Sequence, residues 1–249
     1  SMQSGMRKCV NGMPAYVALP KTEGADKRPV VILMHERYGL VRHSMDLADR
    51  HAREGLVCIA PDFFFRHPDQ DALHRGDVGY PMTDAESVEL MSAAMTEAAS
   101  IDCADMSRVF IMGVCQTGRH PLVYAADHKI AGALVWYGAA HGKEWTVNDQ
   151  FPVGLNDLIQ KVKCPVLGLF GEGDHVISLD DVRRLRNSLE QANLSYQIQV
   201  FPGAPHGWLN DTMPGRYRRD QAEAAWATQR AFIADVLAEK FAKTIVQTC

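Results

Sequence analysis

Residues 108–118 read RVFIMGVCQTG, and the rest of the chain is best read outward from them. The first five, RVFIM, have the length and the β-favouring apolar side chains of a buried strand. They run straight into the glycine-flanked turn GVCQTG, and an apolar helical segment follows. Strand, sharp turn and helix in that order present one side chain, here Cys115, at the tip of an elbow. The helix N-terminus behind it favours a thiolate. The Gln116 amide, first after the sulfur, is aimed where negative charge develops in acyl transfer. Thr117 stands where such turns usually carry their second glycine, with Gly118 one step later, so a crowded and slightly rearranged turn is expected. A buried, inert thiol is the ordinary fate of a single cysteine, and the place of Cys115 at a strand-to-helix glycine turn argues against it.

Around this stretch, short apolar runs alternate with helical patterns. Strands are expected at 15–19, 29–34, 56–60, 130–137, 166–170 and 196–201, and a helix at about 44–54 ends against Gly55. Thr83 and Glu86 have capping-box spacing and open a helix with Val88, Met91, Met95 and Ala98 on one face. Ser178 and Asp181 cap another, with Val182, Leu185 and Leu189 on one side. A long helix at about 217–241 turns Ala222, Trp226, Phe232, Ile233 and Val236 inward. This rhythm is that of an α/β protein with a mostly parallel central sheet and helices on both faces. Residues 6–249 read as a single domain, and residues 1–5 as an expression remnant ahead of Met6. Residues 63–82, rich in His, Asp, Arg and Pro, read as a long functional loop or a small irregular insertion.

Composition narrows the function. With 249 residues, 47% of them hydrophobic and 22% charged, the chain can bury a sizeable core. A net charge of −4 argues against nucleic acid as a partner. No apolar stretch approaches the roughly 18 residues of a membrane span, and the cytoplasm is the simplest compartment. The six cysteines include no CxxC pair, so neither a disulfide framework nor a zinc cluster is expected. Cys58 and Cys164 lie in strand-like runs and read as buried thiols. No metal or cofactor is implied.

Three further segments bear on Cys115. Asp174 ends GEGD at 171–174, directly past a strand end, with Glu172 and Asp180 as less suitable alternatives. A turn aspartate bonding its own backbone is the plain alternative there. His206 lies in PGAPHGW at 202–208, after the last strand, completing the chain order nucleophile, acid, histidine. HERYG at 35–39 follows the run PVVILM; Glu36 either pairs with Arg37 or another neighbour, or adds a second carboxylate near thiol and imidazole.

Together these four motifs resemble the dienelactone hydrolase family, the carboxymethylenebutenolidase-like branch of the α/β hydrolases. The resemblance covers about residues 10–243. It implies the α/β-hydrolase fold, a three-layer sandwich, and a triad of Cys115, Asp174 and His206. It further implies that Glu36 contacts the resting thiol and helps to activate it when substrate binds, and that the amides of Arg37 and Gln116 form the oxyanion hole. Family enzymes hold a substrate carboxylate with arginines, one of them four residues past the histidine, where this chain has Asn210; Arg66 and Arg75 are candidates to replace it. Tyr38, Arg75 and Trp208 are candidate substrate contacts, whereas Trp136 and Tyr137 read rather as core.

The expected activity is hydrolysis of small esters or lactones through an acyl-enzyme. Two other readings stay open: a broad carboxylesterase or thioesterase on the same scaffold, and a non-catalytic binding or redox-sensing module. A small-molecule substrate is the expected partner, with the protein a monomer or homodimer.

Overall fold

A computed structural model describes residues 4–240 and 246–248. The chain divides into two compact units, Ser1–Met112 and Gly113–Cys249.

In the first unit β1 (Gly5–Lys8) and β2 (Pro14–Ala18) form an antiparallel hairpin, with Gly5 opposite Val17. β2 also pairs antiparallel with β4 (Val57–Pro61). Parallel pairing then takes over, since β3 (Arg28–Leu33) lies between β4 and β5 (Ala104–Val114). Every residue of β4, and all of β3 after Arg28, is buried, which explains runs that are apolar rather than alternating. The helices are α1 (Arg42–Arg53), α2 (Gln70–Arg75) and α3 (Asp84–Ala99). Gly55 adopts φ 90° just past the end of α1, as its place in the sequence implied.

Two local expectations change. Thr83 Oγ1 accepts the Glu86 amide at 3.1 Å, but the Glu86 carboxylate takes Arg66 at 2.8 Å and the Tyr80 hydroxyl at 2.9 Å. A charged guanidinium is a stronger partner than a backbone amide. The inward row of α3 is Ser87, Leu90, Met91, Ala94 and Ala98, with Val88 and Met95 only half-buried. The irregular stretch 63–82 contains α2, capped by Asp69, whose side chain accepts the Ala72 amide at 3.0 Å.

The second unit continues with α4 (His120–Asp127), β6 (Gly132–Trp136), α5 (Leu155–Lys161), β7 (Val166–Gly171), α6 (Leu179–Gln191), β8 (Tyr196–Phe201), α7 (Arg219–Leu237) and β9 (Val246–Thr248). Strands β6, β7, β8 and β9 pair parallel in that order. The loops after β6, β7 and β8 therefore leave one edge of this sheet, where α/β proteins place their ligands. Ser178 and Asp181 form a reciprocal capping box on α6. The five expected inward residues of α7 are all buried. Trp226 packs on Trp136 at 4.8 Å between ring centroids, and Gln229 accepts the Trp136 indole N–H at 2.8 Å. Among the described residues no helix is long and apolar enough to cross a membrane.

Candidate active site

The elbow begins where β5 ends. Cys115 has φ 58°, in the left-handed region that costs a non-glycine residue roughly 1–3 kcal/mol. Packed backbone holds it there. A Cβ on Gly113 would lie 2.3 Å from the Thr117 carbonyl oxygen, and one on Gly118 would lie 2.6 Å from Gly138 Cα. One on Gly138 would meet the Cys115 carbonyl oxygen at 2.4 Å. Only glycine at all three positions lets these segments come so close.

Thr117 does not merely crowd the turn. Its hydroxyl accepts the Val114 amide at 2.9 Å and donates to the Val114 carbonyl at 3.0 Å. Two such bonds, each worth about 1 kcal/mol net, are of the same size as the strain. Arg119, the last residue of this 3₁₀ turn, is fully buried. Its guanidinium donates to the carbonyls of Val153 at 2.6 Å and Glu144 at 3.2 Å and lies 4.4 Å over the Phe151 ring, tying the segment before α5 to the elbow.

Asp174 and His206 come from the loops after β7 and β8. These loops are joined by the Gly173 amide on the Ala204 carbonyl at 3.0 Å and the Glu172 amide on the Phe201 carbonyl at 2.9 Å. Asp174 Oδ1 accepts the amides of Val176 at 2.7 Å and Ile177 at 2.9 Å, which leaves Oδ2 for His206 Nδ1 at 2.8 Å. The other ring nitrogen, Nε2, stands 2.9 Å from Cys115 Sγ. Sulfur is half-buried, while the imidazole and carboxylate are buried. Burial alone would discourage a charge on His206, but its hydrogen bonds to Asp174 and Cys115, and their charges, outweigh it. The imidazole pKa is raised to about 10.

Further side chains complete this surround. The Tyr137 ring meets the His206 ring edge-on at 5.1 Å, from a backbone with φ 35°. The sequence read Tyr137 as core rather than pocket, and its side chain is fully buried while also facing the imidazole. His175 is exposed, 6.4 Å from His206 between ring centroids. Trp208 is fully buried against Trp136, Tyr137 and Phe201, so its ring belongs to the core beneath His206. Asn210 is also buried, its side-chain oxygen accepting the Thr212 amide at 3.0 Å.

The remaining candidates lie in the first unit. Glu36 is buried with its carboxylate 3.5 Å from His43 Nε2. Arg37 is exposed and donates to the Gly76 carbonyl at 3.0 Å, over the half-buried Tyr38 ring. Arg75 pairs with Asp77 at 2.9 Å and Arg66 with Glu86 and Glu89 at 2.8 Å each, so both guanidinium groups already face carboxylates. Among the described residues no group of three or more His, Cys, Asp or Glu side chains is arranged to hold a metal ion.

The profile of the dienelactone hydrolase family matches residues 13–237. The chain belongs to the dienelactone hydrolase family. A Salmonella typhimurium protein named "Putative carboxymethylenebutenolidase" is 34% identical over 222 residues, 86% of this chain and 79% of that one. Its namesake from Escherichia coli K12 is 33% identical over 223 residues, 87% and 80% of the two chains. The crystal structure of a "Putative Dienelactone Hydrolase" from Klebsiella pneumoniae superposes with a TM-score of 0.80 at 30% identity, covering 93% of this chain and 98% of that one. A dienelactone hydrolase-like promiscuous phosphotriesterase from metagenomic libraries shares the fold, with a TM-score of 0.76 at 17% identity over 97% of this chain and 100% of its own. As a dienelactone hydrolase family member the protein is a carboxylic ester hydrolase, of lactone or ester type, with the α/β-hydrolase fold.

Proposed function

We propose that the protein hydrolyses small carboxylic esters or lactones by covalent catalysis at Cys115, with His206 carrying the proton and Asp174 orienting His206. The observation that carries this reading is the chain of contacts from Sγ to Nε2 at 2.9 Å and from Nδ1 to Oδ2 at 2.8 Å. With its pKa near 10, His206 holds a proton at neutral pH, ready for a leaving alkoxide. The thiolate adds to the substrate carbonyl carbon, the ester C–O bond breaks, and the departing oxygen takes the proton from Nε2. Water then yields a proton to Nε2 as its oxygen attacks the thioester. The C–S bond breaks and the acid leaves, restoring thiolate and imidazolium.

By the resemblance, the amide of Gln116 receives the oxyanion. The substrate class is that of the family, a small ester or lactone.

The test is hydrolysis of p-nitrophenyl acetate by wild type and Cys115→Ala, with acid-quenched wild-type samples read by mass spectrometry. We expect no turnover in the variant and an acetyl group on Cys115 in wild type. Full activity in Cys115→Ala would remove the thiol from the reaction.

A further inference from the structure

Strand β6 runs into a strained turn. Tyr137 has φ 35° and Ala139 φ 69°, both in the left-handed region, and Gly138 between them has no room for a side chain. Left-handed backbone is costly for a residue with a Cβ and persists only where the surroundings over-determine it. The Tyr137 amide donates to the Leu169 carbonyl at 2.7 Å, which ties the turn to β7. A Cβ on Gly138 would lie 2.4 Å from the Cys115 carbonyl oxygen and 2.7 Å from Gly118 Cα, so the same turn lies directly against the elbow. All of these residues, with Asp174 and His206, belong to the second unit.

The turn presents the Tyr137 ring, fully buried, edge-on to the His206 ring at 5.1 Å between centroids. Trp208 backs it at 5.7 Å. Asp174 holds the imidazole at Nδ1, 2.8 Å away, while Nε2 stands 2.9 Å from Cys115 Sγ. A hydrogen bond at Nδ1 fixes one atom of the ring. The second side-chain torsion of histidine has a broad minimum, so that bond leaves the ring free to tilt and carry Nε2 away from the sulfur. A close-packed ring against its side opposes the tilt.

We infer that Tyr137 is a positioning residue that keeps His206 Nε2 at the Cys115 sulfur, with the turn 137–139 locating the two groups against each other. This role rests on the reading above, in which Cys115 and His206 carry the reaction. The first side chain of the turn lies against the imidazole, and its second residue lies against the backbone of Cys115. Three consecutive residues thus touch both partners. The other charged or titratable groups nearby do not supply this hold. His175 is exposed, with 6.4 Å between its ring centroid and that of His206. Arg216 reaches the His206 main-chain carbonyl at 3.4 Å rather than the ring.

Wild type is compared with Tyr137→Met, which fills most of the space with a flexible chain, and Tyr137→Phe, which keeps the ring without its hydroxyl. Rates are referred to the fraction of molecules folded at the assay temperature, taken from thermal unfolding. On p-nitrophenyl acetate, Tyr137→Met should lower kcat on the order of 10-fold with little change in KM. Alkylation of Cys115 by iodoacetamide, followed on that residue by mass spectrometry, should slow by a similar factor at pH 7, because an imidazolium beside the sulfur favours the thiolate. At about pH 10, where a thiol ionises without help, the difference should close. Loss of packing alone would not produce that pH dependence. Tyr137→Phe should recover most of kcat and of the alkylation rate at pH 7.

Wild-type kcat in Tyr137→Met would overturn the inference. So would a loss confined to KM, an alkylation difference equal at both pH values, or Tyr137→Phe falling as far as Tyr137→Met. If Tyr137→Met does not fold, Tyr137→Leu takes its place with the same outcomes. Turnover surviving in Cys115→Ala would instead overturn the reading of Cys115, whatever the Tyr137 variants do.

Discussion

The elbow after β5 and the loop after β3 both end a buried strand, yet close-packed backbone, braced by the Thr117 hydroxyl, holds one and a buried imidazole braces the other. At the elbow, Gly113, Gly118 and Gly138 bring main chain to within distances that no Cβ would allow. In HERYG, His35 holds one peptide by a single imidazole bond, and His43 stands beside the Glu36 carboxylate. A steric lock is insensitive to pH and tolerates no added atom. A hydrogen-bonded lock tolerates volume changes but depends on protonation state. Cys115, whose backbone is strained, sits in the first kind.

The largest effect expected from breaking this contrast is that of Gly138→Ala. The new methyl would collide with backbone rather than with a movable side chain, at a cost of about 3 kcal/mol. Urea unfolding should show that loss, and turnover should vanish even in molecules that remain folded. A stable, active alanine variant would mean that the elbow gives way easily.

Asp174→Asn comes next. The variant keeps an acceptor for the amides of Val176 and Ile177 but loses the carboxylate that orients His206. We expect kcat to fall on the order of 10³-fold with the elbow intact by crystallography. If Glu172→Gln proved the damaging change instead, the acid would be Glu172.

A smaller effect should appear in alkaline unfolding. His206 has its folded-state pKa raised from an ordinary 6.5 to about 10, so its stabilisation is complete below 6.5 and is lost as pH rises through 10. The Tm difference between wild type and His206→Gln should shrink over that window. A difference that stays flat from pH 6 to 10 would contradict the raised value.

Thr117→Gly should have the smallest effect. It supplies the glycine usual at that position but removes two hydrogen bonds to Val114, so a loss of about 1 kcal/mol is expected from thermal unfolding. A more stable variant would show that crowding outweighs the hydroxyl.

These differences also explain how much could be read in advance. Cys115, Asp174 and His206 could be picked out as candidates because each lies in a loop that follows an apolar strand, and strand ends carry the functional loops of parallel sheets. Their contact distances follow from strand pairing, which no local pattern reveals. Thr117 could be seen as an irregularity but not as a brace, because its hydroxyl bonds a residue behind it in the turn. The bond from His35 to Phe63 spans 28 residues, and its partner on the other side is a carbonyl that every residue possesses. Trp208 was a candidate substrate contact from its place beside His206, whereas its ring is fully buried against other aromatics. Gly5 was set aside with the first residues although it begins β1.

The aromatic block of the second unit has an optical consequence. Three of the chain's four tryptophans are in it, with Trp136 contacting both Trp208 and Trp226. Tyr137 connects this group to His206, touching Trp208 at 5.7 Å and the imidazole at 5.1 Å. Three of the four indoles therefore belong to a block that reaches, through Tyr137, the histidine facing Cys115. A change at that ring or at the neighbouring sulfur is expected to alter the emission of these indoles, which a stopped-flow single-turnover measurement without any label would read.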